Sequence, residues 1–348
     1  MGDFVYDGQG NTRMGLEGVG SYNSAATLSA SDVLEVSRGT SKIMYEPKHE
    51  QISGHTTRRD GQELVLIDED IKYSGTSRLR HFSVPGTDST RPPSHALLVG
   101  SGAADTWDNT GSNSITYEWG ESSESHDSVT LETEDAEGAH DNAIKKQITG
   151  GRHNIKLSAT RGGIVTIDYE GQGAGYTHTD KGSAPASDDP PTGQVATFYK
   201  STVTVEVVGG SPSFSGAIDA FELDLKMNPQ PVKSGSNSSS LIDAVLLRAL
   251  ESFTSSITVQ NKLLASFNPE KIRDDRSKLH ISVQLNDVSD ANNSITIEYW
   301  AQIDAVELTS IADGVQASKM NLKSLWADAS TPGESQGYSL RITFDTTT

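Results

Sequence analysis

The sequence predicts a mainly β protein built from antiparallel sheets, arranged as sandwich or barrel domains, two per chain, each with a flanking helix. An extended N-terminal arm and long loops complete that expectation. Three observations carry it. Only 34% of the 348 residues are hydrophobic while 32 are glycine, a composition that suits many short strands and turns better than a helical bundle. Apolar and polar residues alternate strictly in several segments, which marks strands buried on one face only. Length allows a large core and makes two domains reasonable.

Taken in chain order, residues 1–35 read as an arm: the first 31 are rich in Gly, Ser, Asn and Ala and gain order on a partner. A first β domain is expected over 36–173. Within it Pro92-Pro93 opens a short helix, Ser94-His95-Ala96-Leu97-Leu98-Val99, that stops at Gly100. From Glu118 to Asp141 runs an acidic stretch with nine carboxylates and no Lys or Arg, read as a solvated loop or strand pair. In GGIVTIDYEG, Val165, Ile167 and Tyr169 share one face and Thr166, Asp168 and Glu170 the other.

Residues 174–193, AGYTHTDKGSAPASDDPPTG, read as a linker or loop. A second β domain is expected over 194–348. There Val203, Val205 and Val207 oppose Thr202, Thr204 and Glu206; Phe221, Leu223 and Leu225 oppose Glu222 and Asp224. Ile295, Ile297 and Tyr299 oppose Thr296 and Glu298 after an Asn-Asn turn. PQPVKSGSNSSS at 229–240 reads as an exposed loop. SLIDAVLLRALESF at 240–253 predicts a second helix, with Ser240 as N-cap and an apolar stripe at Ile242, Val245, Leu246, Ala249, Leu250 and Phe253.

Specific chemistry-bearing motifs are not found in the sequence, and with this many acids carboxylate pairs of the kind glycoside cleavage uses are expected by chance. There is no cysteine, so no disulfide, thiolate zinc site or thiol nucleophile is available. His126-Asp127 and His140-Asp141 lack the convergent spacing of a metal centre, and Asp68-Glu69-Asp70 lacks the glycine and closing Glu of a calcium loop. No phosphate-binding glycine loop, dinucleotide fingerprint or G-x-S-x-G elbow occurs. The four tryptophans are dispersed and read as buried or interface residues rather than a sugar platform. No catalytic residue, metal or cofactor is predicted, and the expectation is that the protein is not an enzyme. No run of 18 apolar residues predicts a membrane span, and the N-terminus has no secretory-signal pattern. The net charge of −19, with 28 basic against 47 acidic residues, argues against a protein that grips nucleic acid.

Two blocks carry a family resemblance: YSGTSRLRHFSVPGTDSTRPPSHALLVGSGAADTW at 73–107 and HNIKLSATRGGIVTIDYEGQG at 153–173. A strand enters a loop, then a Pro-Pro helix with a glycine stop, and later a glycine-rich turn and a strand ending in acid-Gly. In this the chain resembles the major tail tube proteins of long-tailed bacteriophages, in the long form with a duplicated tube domain. FSGAIDAFELDLKMN and NNSITIEYWAQIDAVELTS resemble the strand pair and later hairpin of the longer members.

The resemblance implies a structural virion protein that stacks as rings into a hollow tube for DNA passage. Such a protein would be made in the host cytoplasm and then incorporated into the virion. Rings would be trimers with pseudo-sixfold symmetry if the domain is duplicated, or hexamers if it is not. Partners implied are the protein itself, a tape measure protein, a tail terminator and distal tail or baseplate proteins, with no membrane. Asp168, Glu170, Glu206, Glu222, Asp224 and Glu298 are then the candidates for a negative lumen wall that passes DNA without holding it. The competing expectations are a receptor- or carbohydrate-binding β-sandwich of a virion appendage and a capsid decoration protein.

Overall fold

A computed structural model describes the chain except residues 1–4, 7–10, 19–21, 38–39, 54–61, 89, 111–112, 121–126, 138–141, 184–188, 190, 200, 211–212, 217, 234–240, 250–252, 261–266, 288–289, 291, 311–315, 326–338 and 347–348. His126, His140, Asp141 and Trp326 therefore lie outside the described residues.

The fold is mainly β and antiparallel. Its strands in the first half are β1 (Val5–Tyr6), β2 (Thr12–Leu16), β3 (Lys42–Ser53) and β4 (Gln62–Arg78), then helix α1 (His95–Gly100). There follow β5 (Ala104–Asp108), β6 (Asn113–Trp119), β7 (Val129–Glu137), β8 (Asn142–Thr160), β9 (Thr166–Gln172) and β10 (Gly175–Asp180). The second half holds β11 (Thr202–Val207), β12 (Ser213–Gly216), β13 (Ile218–Asp224), β14 (Met227–Lys233), β15 (Ile242–Ala249) and β16 (Thr254–Gln260). Helix α2 (Pro269–Asp274) precedes β17 (Leu279–Asn286), β18 (Asn293–Ser310), β19 (Gln316–Ser324) and β20 (Leu340–Thr346).

The strand order repeats. In the first half β2 pairs with β7, β7 with the start of β8, and that with β10. The end of β8 pairs with β9, β9 with β4, and β4 with β3. In the second half β11 pairs with β17, β17 with the start of β18, and that with β20. The end of β18 pairs with β19, β19 with β16, and β16 with β13. Hence β3, β4, α1, β7, β8, β9 and β10 have the same places as β13, β16, α2, β17, β18, β19 and β20. One strand in each half, β8 or β18, serves both of its sheets.

That double service needs a corner, and sheets turn corners where a strand bends. In β8 the bend is at Gly150, whose φ of +63° favours glycine and whose missing Cβ leaves room for Ala174 and Tyr22. In β18 it follows Trp300, with a bulge between Ile303 and Ala305.

Each half buries the apolar sides of its two sheets against each other. In the second half Tyr299 of the outer sheet meets Phe221 and Phe253 and accepts a hydrogen bond from Ser255 (2.9 Å). The period-two expectation holds for Val165, Ile167, Tyr169, Val203, Val205, Phe221, Leu223, Leu225, Ile295, Ile297 and Tyr299, which are all buried, while Val207 at the end of its strand is only partly so. Helix α1 inserts Leu97, Leu98 and Val99 into the first core; α2, capped by Asn268 and led by Pro269, adds Ile272.

Strand pairing joins the halves at two places. The end of β8 pairs with β13, from Ala220↔Thr160 to Asp224↔Lys156, which joins the two inner sheets into one: β3-β4-β9-β8-β13-β16-β19-β18. The β5–β6 hairpin of the first half also extends the second outer sheet by pairing β6 with β20.

Several expectations change. The helix expected at 240–253 is strand β15, paired with β14 from Met227↔Ala249 to Lys233↔Ile242. Its apolar residues fit a helical stripe, yet while Ile242, Val245 and Phe253 are buried, Leu246 is exposed. Pairing with the preceding strand in a hairpin outweighs the local helical preference of Ala and Leu. The helix of the second half is α2 instead. The first residues of the loop expected at 229–240 belong to β14. Within the arm expected at 1–35, β2 adds to the outer sheet and Met14 and Glu17 are buried. Within the linker expected at 174–193, Gly175–Asp180 is a full strand against β8. The acidic stretch contains β7, whose Glu132 and Glu134 are paired with Arg13, Lys145 and Lys181.

Candidate functional site

The inner sheet has one face in the core and one polar face, because side chains alternate along every strand. Four of the six acids proposed from sequence, Asp168, Glu170, Glu222 and Asp224, share this polar face on β9 and β13. The register lines up one row across seven strands: Thr76, Asp168, Lys156, Asp224, Thr254, Lys323 and Gln302.

Glu206 and Glu298 are placed elsewhere. They lie on β11 and β18 of the second outer sheet and flank His280, at 4.0 and 3.8 Å. His280 stacks on Trp300 with centroids 4.9 Å apart, and Arg341 links Glu298 to Glu118. The alternation that put all six acids on wet faces was right; which sheet each wet face belongs to depends on long-range pairing.

Cations missed by the sequence reading share the inner face. Lys156 reaches Glu222 (3.0 Å), Lys323 reaches Asp304 (3.6 Å), and Lys72 lies near Glu46 and Asp70 (3.7 and 3.9 Å). The face is thus a lattice of opposite charges rather than a sheet of carboxylates. Thr76 donates to Asp168 (2.6 Å) and Asn154 donates to Asp224 (2.9 Å). Burial pushes the Asp224 carboxyl up, but hydrogen bonds from Lys226 and Asn154 outweigh it and hold it below the usual carboxylate range.

Two open grooves mark this face. One of about 340 Å³ is lined by Thr76, Asn154, Lys156, Asp168, Glu170 and Asp224; the other, about 270 Å³, lies between the sheet and β14 and includes Met44, Lys72, Gln172 and Pro229. Among the described residues no three His, Asp or Glu side chains converge as metal ligands. Asp68, Glu69 and Asp70 sit along β4, with Asp68 and Asp70 bound to Lys48 and Lys233. No helix among the described residues is long and apolar enough to cross a membrane.

The buried polar groups form a second cluster that sequence reasoning passed over. Tyr73 donates to His153 Nδ1 (2.9 Å), and His153 Nε2 donates to the Leu97 carbonyl (2.8 Å), tying helix α1 to the bend of β8. Nearby, the buried Glu17 carboxylate accepts from Ser128, Thr130 and the amides of Asn23 and Gly150. His153 has the parity of Ile155 and Leu157, so alternation was the signal that could have placed it inside.

No protein-family model and no curated protein matches this chain.

Proposed function

We propose that this chain is a structural subunit that closes with copies of itself into rings and stacks them into a hollow tube through which DNA passes. The observation that carries this reading is the pair of edges on the inner sheet. Among the described residues, β3 at one end pairs only with β4, and at the other the end of β18 pairs only with β19. In the strand repeat, β3 corresponds to β13 and β18 to β8, the two strands that pair at the centre of the same sheet. The chain therefore contains, as a finished joint, the contact its two edges would make between copies. A long unpaired edge is otherwise a liability that soluble proteins cover.

Three copies would bring twenty-four strands to one barrel. With strands about 4.8 Å apart and tilted about 40°, the backbone circumference is roughly 150 Å and the diameter about 48 Å, wide enough for duplex DNA. The polar inner face would line the bore. Its lysines are already engaged by neighbouring carboxylates, so a passing phosphate would have to displace an existing partner and gains little. A tape measure protein inside, a terminator at one end and distal tail proteins at the other are the partners this role requires, and the virion is its location.

Electron microscopy of the purified protein, concentrated or mildly heated, tests the reading. Tubes of uniform diameter are expected; monodisperse monomer under every condition would overturn it.

A further inference from the structure

The second half carries a hairpin whose seat is visible within the chain. After β13 the backbone kinks at Lys226 (φ +55°), and β14–β15 lies across the bend of the first half. Met227 N donates to Asn154 Oδ1 (2.9 Å), Leu241 N donates to Glu69 (2.5 Å), and Val245 N donates to the Tyr22 hydroxyl, which in turn donates to the Gly150 carbonyl (3.2 Å). Lys233 bridges Asp68 and Asp70 (2.5 and 3.1 Å), and Ile242 and Val245 are fully buried.

The hairpin at the same place in the first half, β3–β4, meets its own chain at Tyr45, stacked on Tyr176, and at Asp68 and Asp70, bound by Lys233, yet it presents apolar side chains outward. Leu66 and Ile67 are 38% and 54% exposed. The place on the second half that corresponds to the occupied seat is the bend of β18. Val129↔Gly151 and Leu279↔Ala301 are the matching pairs there, so Trp300 stands where Gly150 stands. At that bend Trp300, Val208 and Leu325 form a small apolar cluster separate from the main core.

We propose that the β3–β4 hairpin of one copy docks on the β18 bend of a neighbouring copy, its Leu66 and Ile67 packing over Val208, Leu325 and Trp300. The occupant is a second copy of this chain because the chain already makes the equivalent contact with itself. The geometry also provides continuity: β3 would leave its pairing with the neighbour's β18 and run straight into the hairpin, as β13 leaves β8 and runs into β14. The contact deepens the tube reading by giving each lateral joint a clasp beyond its backbone hydrogen bonds.

The absence of cysteine makes the test direct. The double variant Ile67→Cys/Leu325→Cys is assembled and treated with a short bismaleimide, beside each single variant. Expected is a ladder of covalent oligomers from the double variant only. Tubes that form without a ladder would overturn the docking while leaving the tube reading intact. A ladder without tubes would keep the docking and remove the tube; neither product would remove both. As a second readout, Leu66→Asp/Ile67→Asp should keep the β circular dichroism and melting temperature but lower the yield of assembled protein at least tenfold. Undiminished assembly of that variant would also overturn the docking.

Discussion

His153 lies wholly inside the first core, between the Tyr73 hydroxyl and the Leu97 carbonyl, and its burial lowers its pKa to about 4. His95, hydrogen-bonded to Tyr117, is likewise lowered to about 4 by burial. Both are neutral in the folded chain at pH 6 but take up protons near pH 6.5 once unfolded. The unfolded state therefore binds more protons between about pH 6.5 and 4, and stability falls as pH falls through that window. Each histidine contributes a loss on the order of 3 kcal/mol across it, at 1.36 kcal/mol per pKa unit. Denaturant melts of the protein at pH 7 and pH 4.5 should differ accordingly, and His153→Gln, which can keep one hydrogen bond, should show a smaller difference. Equal pH dependence in the variant would mean that His153 is not a source of the acid sensitivity. The Pro92-Pro93 start and the alternation that buries His153 were legible locally; its partners were not, because Tyr73 and Leu97 arrive from strands and helices far along the chain.

At the scale of elements, the β14–β15 hairpin shows where local reading stops. A two-stranded sheet is marginal in water, so this one depends on the surface beneath it. Val245 is the buried anchor, and Val245→Asp would bury a carboxylate in place of an apolar side chain. Hydrogen exchange over 227–249 should then accelerate at least tenfold while Ile155, Leu157 and Ile167 stay protected. Loss of protection throughout would show the hairpin to be part of the global core instead. The same segment was read from sequence as a loop and a helix, since Ile242, Val245, Leu246 and Ala249 satisfy a helical period. What the period does not encode is that residues 227–233 supply a partner strand. Strands whose one-sided burial is visible in their own residues, such as 165–170 and 295–299, were read correctly for the complementary reason. The repeat of strand order was harder still to see, because it is a property of pairing and the paired residues of the two halves differ in kind: Gly150 in one bend, Trp300 in the other.

For the whole molecule, the sorting of the acids between two sheets divides one expectation into two. Asp168, Glu170, Glu222 and Asp224 share the inner polar face with Lys72, Lys156 and Lys323, whereas Glu206 and Glu298 surround His280 on the outer sheet. If the inner face lines a bore, changing its four acids to Lys releases Lys156 from Glu222 and Lys226 from Asp224 and adds four cations beside them. Each phosphate so neutralised frees counterions, and binding of this kind weakens steeply with salt. Tubes carrying the four changes should still assemble, because the joining edges β3 and β18 are untouched. They should retain short duplex DNA at low ionic strength and release it as salt rises, and virions built from them should eject their genomes slowly. Glu206→Lys with Glu298→Lys changes the charge by half as much but on the outer sheet, and should leave DNA retention at the level of the unmodified tube. Equal retention by the two variants, or none by either, would place the inner polar face somewhere other than the path of the DNA.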